Sequence, residues 1–65
     1  MERYIEAIRA AAEACDPRNL KNALDFILGS ALEDYRAGAL AVTEYGDIVT
    51  EYTDTLTAKN AINYM

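Results

Sequence analysis

Sixty-five residues, just over half of them apolar, allow one domain over residues 1–65 with one small core, and exclude a disordered chain. A net charge of −5 speaks against direct binding to nucleic acid or to an anionic membrane, because both need a basic surface to displace counterions. One cysteine and no histidine allow neither an intramolecular disulfide nor a structural zinc site. A core of this size rarely supplies more than roughly 3–5 kcal/mol, so self-association is the expected supplement.

The first predicted helix covers about 2–15. Tyr4, Ile5, Ile8, Ala11, Ala12 and Cys15 share one face, and the alanine run favours a helix. Glu2 and Glu6 suit the positive end of the helix dipole, and Arg9 and Glu13 form an i,i+4 pair. Asp16-Pro17 ends this helix and starts the next: proline disfavours helical backbone at Asp16, whose carboxylate can cap, and Pro17 fits the first helical position. Cys15 and Leu20 then hold the positions of a hydrophobic staple, so the thiol reads as a small apolar group.

The second helix, 17–36, is expected to be central. Its main stripe is Leu20, Leu24, Ile27, Leu28, Ala31, Leu32 and Tyr35. A thinner seam of Ala23, Phe26, Ser30, Glu33 and Ala37 lies nearly opposite, which predicts a helix flanked on both sides. Gly29 lies inside it, either tolerated or permitting close approach of another backbone. Gly38 ends it as a left-handed residue after Arg36.

The third helix is predicted over 41–63. Leu40 and Tyr45 have staple spacing, while Ala41 and Glu44 supply half a capping box, with Thr43 a competing cap. Val42, Tyr45, Ile48, Val49, Tyr52 and Leu56 give the stripe. The β-branched run from Ile48 to Thr57 raises a strand alternative, but strict alternation fails. Lys59 and Asn63 continue the stripe as polar residues, with Ile62 at its edge. The expected fold is thus an all-α three-helix bundle, its core completed by homo-oligomerisation through Phe26, Ala23, Ser30 and Ile62. The first helix, at roughly 20 Å, is too short to cover the second, at roughly 30 Å.

Chemistry-bearing patterns are sparse. No histidine is present to act as a general base, the lone serine and cysteine have no activating partner, and the three glycines are isolated, so no phosphate-binding loop exists. An enzyme is not expected; neither is a cofactor or a metal. A helix-turn-helix reading fails because the third helix is acidic outside its stripe. Glu44, Asp47, Glu51 and Asp54, spaced three, four and three, form an acidic row that reads as a solvated face or as a dock for a basic protein surface. Tyr45, Tyr52 and Lys59, seven apart, could with Arg36 or Arg18 hold an anionic aromatic ligand such as a nucleotide across an oligomer seam.

The expected function is non-enzymatic binding, by a small regulator or inhibitor docking on a basic partner surface. By size and charge alone it resembles small phage- or mobile-element-encoded proteins. The alternatives are a nucleotide-holding oligomer and a structural assembly subunit. No apolar run is long enough to span a membrane and no signal-peptide pattern is seen, so a cytoplasmic location is expected, in keeping with a lone thiol.

Overall fold

A computed structural model describes residues 3–59. Three helices follow in order, α1 (Arg3–Ala14), α2 (Pro17–Arg36) and α3 (Val42–Ala58), and all three pairs pack against each other. No strand occurs among the described residues. Ile8, Leu20, Leu24, Ala31, Ile48 and Leu56 form the buried core, with Tyr4, Ile5, Cys15, Leu40, Tyr45 and Tyr52 among those closing its edges. No helix of the described residues is long and apolar enough to cross a membrane.

Local signals act where the sequence places them. Asp16 has extended backbone, and its Oδ1 accepts the Asn19 N–H at 3.0 Å, with Pro17 as the first helical residue. Gly38 (φ 84°) makes the left-handed step after α2. The Gly38 N–H donates to the Tyr35 carbonyl at 3.1 Å and the Ala39 N–H to that of Asp34 at 2.8 Å, a complete Schellman closure. At α3, Glu44 accepts the Ala41 N–H at 3.0 Å, but alanine has no side chain to return the bond. The β-branched run is helical; Thr50 and Thr57 donate to the carbonyls of Gly46 and Thr53, each at 3.0 Å, so their hydroxyls are satisfied within the helix.

Two expectations change. α2 touches both neighbours, yet it is not a central slab with a partner on each seam. α1 and α3 also pack on each other, so the bundle is triangular and only the main stripe of α2 points inward. The thin seam faces solvent instead, with Phe26 78 % exposed and Glu33 and Ala37 exposed beside it. Second, α3 closes at Ala58 rather than at 63. Apolar stripe residues run out after Leu56, and Lys59 caps the helix with its N–H on the Thr55 carbonyl at 3.0 Å. Ile62 and Asn63 lie outside the described residues.

Candidate functional site

The acidic row runs along the edge of α3 next to α1, and its four members are not equivalent. Glu44 is occupied at the helix start. Glu51 accepts from the Arg9 guanidinium, whose Nε lies 3.3 Å away. Arg9, expected to pair with Glu13 along its own helix, therefore reaches across to α3. Asp47 and Asp54 are exposed and take no such role among the described residues. One of the four thus closes the start of its own helix, one ties α3 to α1, and two are left to face outward.

The tyrosine–lysine set is dispersed. The Tyr45 ring stacks on Tyr35, with centroids 4.9 Å apart and planes 9° from parallel. Tyr52 donates its hydroxyl to Asp25 of α2. Because Tyr45 meets Tyr35 while Tyr52 meets Asp25, α2 and α3 are antiparallel. Arg36, at the end of α2, and Lys59, at the end of α3, therefore lie at opposite ends of the bundle. One chain does not bring these residues together.

Sequence reasoning missed the pair of carboxylate clusters that clasp α2. On the α1 side, Asp34 accepts the Tyr4 hydroxyl and the Arg3 guanidinium, the latter at 2.7 Å. On the α3 side, Asp25 accepts the Tyr52 hydroxyl and the Lys21 ammonium, the latter at 2.6 Å. The Tyr4 hydrogen bond, helped by Arg3, holds the Asp34 carboxyl below its usual range. Burial pushes Asp25 the other way, but the bonds from Lys21 and Tyr52 overcome it and its carboxyl is also lowered. Both phenols are raised, Tyr4 chiefly by donating to Asp34 and Tyr52 chiefly by burial and then by Asp25. The Lys21–Asp25 spacing of four was readable from the sequence. The tyrosine partners were not, since they depend on how far α1 and α3 slide along α2.

Among the described residues, the outward face of α2 carries the most exposed large apolar side chain, Phe26. A shallow open groove there is lined by Asp25, Phe26, Gly29, Ser30 and Glu33. Ala23 and Ser30, both half-buried, flank Phe26 on the α1 side, where the Tyr4 hydroxyl reaches the Ser30 carbonyl at 3.5 Å. A Cβ at Gly29 would meet nothing within 4 Å, so no other backbone among the described residues approaches there. Among the described residues no group of three or more carboxylates and thiols is placed to hold a metal ion. Cys15 is half-buried against the core edge.

No protein-family model, curated protein or solved structure matches the chain.

Proposed function

We propose that this chain is a non-enzymatic, self-associating binding protein that docks on a basic surface of another protein, as a regulator or inhibitor does. One observation carries the docking: Asp47 and Asp54 stand exposed on one edge of α3 in a chain of net charge −5, while Glu44 and Glu51 of the same row are tied internally. Uncommitted carboxylates on a rigid helix raise encounter rates with a positive patch and set orientation more than they add affinity. Self-association rests on the exposed Phe26 face and on the small core. The nucleotide-holding alternative ranks lower because Tyr45 and Tyr52 already have partners within the chain and the cations lie at opposite ends. A purely structural subunit would show the same self-association without the salt-sensitive docking.

An oligolysine peptide serves as the basic probe. Asp47→Asn with Asp54→Asn is compared with a control, Glu6→Asn with Glu13→Asn on α1, that removes the same charge. Glu51 is left in place because its loss would strand Arg9. The α3 variant is expected to lose several-fold more affinity at low salt than the control, with the gap closing as salt rises. Equal losses would mean that net charge alone acts, and the α3 docking surface would be discarded.

A further inference from the structure

The outward face of α2 has a regular order. Asn19, Asn22, Phe26, Gly29, Glu33 and Arg36 are all exposed and are spaced three, four, three, four and three. This is the spacing of one helix face, and it lies opposite the buried Leu20, Leu24 and Ala31. Two of the six have no explanation among the described residues. Phe26 leaves most of an aromatic ring in water, and Gly29 is a poor helix former in mid-helix where no neighbour requires it.

We infer that a second copy of this chain covers this face, with α2 antiparallel to α2 about a two-fold axis between Ile27 and Leu28. In that register Phe26 of each copy lies over Gly29 of the other, a large residue against the smallest. Asn22 meets Glu33, so an amide N–H₂ donates to a carboxylate. Asn19 meets Arg36, so the guanidinium donates to an amide oxygen. The two-fold makes every contact occur twice and closes the assembly at a dimer. A parallel pairing fails on charge and shape: it sets Glu33 on Glu33, Arg36 on Arg36 and the two rings on each other, with the glycines facing a void. Ala23 and Ser30 on one flank are small enough to let the helices approach. On the other flank the Asp25 carboxylate is already held by Lys21 and Tyr52, and it brings no uncommitted charge. The occupant is a second copy because each residue of the face finds its complement on that same face.

This geometry rests on the self-association reading, and the experiment separates the two. Sedimentation velocity over a dilution series is run on the wild type, Phe26→Ala and Gly29→Leu. Melting is followed at a concentration where each is monomeric. The wild type is expected to be a reversible dimer, and each substitution to raise its dissociation constant at least tenfold. Gly29→Leu should melt no lower than the wild type as a monomer, because its side chain enters open space. In a Cys15→Ser background, Asn22→Cys with Glu33→Cys should oxidise to a linked dimer, while Asn22→Cys alone should not. The two sites lie roughly 16 Å apart along one helix, too far for a bond within a chain. A wild type that stays monomeric to millimolar concentration overturns both the self-association and this geometry. A dimer whose dissociation ignores Phe26 and Gly29, or whose paired cysteines stay unlinked, leaves self-association standing and overturns the register. So does any assembly larger than two.

Discussion

The two long faces of α2 obey different logic, although they share one backbone. Inward, Leu20, Leu24 and Ala31 have no exposed surface, and each is accounted for by contacts with α1 and α3. Outward, Phe26 is 78 % exposed, and a Cβ at Gly29 would meet nothing within 4 Å among the described residues. The inner face is therefore explained by folding alone, whereas the outer face has no such explanation among the described residues.

The largest expected effect tests the contrast directly. Leu24→Ala removes a fully buried side chain and should cost about 2–5 kcal/mol, comparable with the whole stability of so small a domain. Phe26→Ala, measured by urea unfolding at high dilution, should stay within about 0.5 kcal/mol of the wild type. Losses of similar size would mean that Phe26 is packed by its own chain and that the two faces are not distinct.

Glycines sharpen the comparison at the next scale. Gly38 has φ 84° and completes the closure of α2, so Gly38→Ala should cost about 1–2 kcal/mol. Gly29→Ala should act in the opposite direction. It enters open space on the outer face and should stabilise the dilute protein by up to about 1 kcal/mol through helix propensity. A loss at both positions would show that the outer face is already in contact within the chain.

The helix starts give the next contrast. Asp16 caps α2 with its carboxylate, so Asp16→Ala should lose about 1 kcal/mol in thermal or urea unfolding. Ala41 offers no acceptor to α3, so Ala41→Ser should recover about 0.5–1 kcal/mol by completing the box with Glu44. No gain at Ala41 would mean that water already satisfies the first turn of α3.

Signals confined to one turn were legible in the sequence. Asp16-Pro17, Gly38 and the Glu44 half-box need only their own neighbours, and each stands where the sequence placed it. The inward stripe of α2 was also readable, because 3.6-residue periodicity reports one buried face. What failed depends on three-dimensional packing. A second apolar seam on α2 looked like a second partner helix, but the sequence could not show that α1 and α3 would meet each other and leave that seam outside. The two carboxylate clasps needed the sliding positions of α1 and α3 to within one residue, which spacing within a helix does not carry. Nor could spacing say that Glu51 is engaged by Arg9 while Asp47 and Asp54 are not.

The clasps mark the borders between the two faces, and pH probes them with the smallest expected effect. Asp25 and Asp34 have carboxyls lowered from an ordinary 3.8, so their contribution is full above that value and is lost as pH falls through the lowered ones. Tyr4 and Tyr52 are raised from an ordinary 10.0, and Lys21 from 10.5. Their contributions are full below those values and disappear as pH rises through the raised ones, when the phenol can no longer donate and the ammonium is lost. Urea midpoints measured across pH should therefore show a plateau with one acid edge and one alkaline edge. Tyr52→Phe keeps the ring but removes the donor, so it should lower the plateau slightly and blunt its alkaline edge; Tyr4→Phe should do the same from the α1 side. In the wild type, tyrosinate absorbance should include a fraction appearing late, above the ordinary phenol value. A single transition at that value would mean the Tyr4 and Tyr52 hydroxyls do not donate to Asp34 and Asp25, and that the faces of α2 are separated by packing alone.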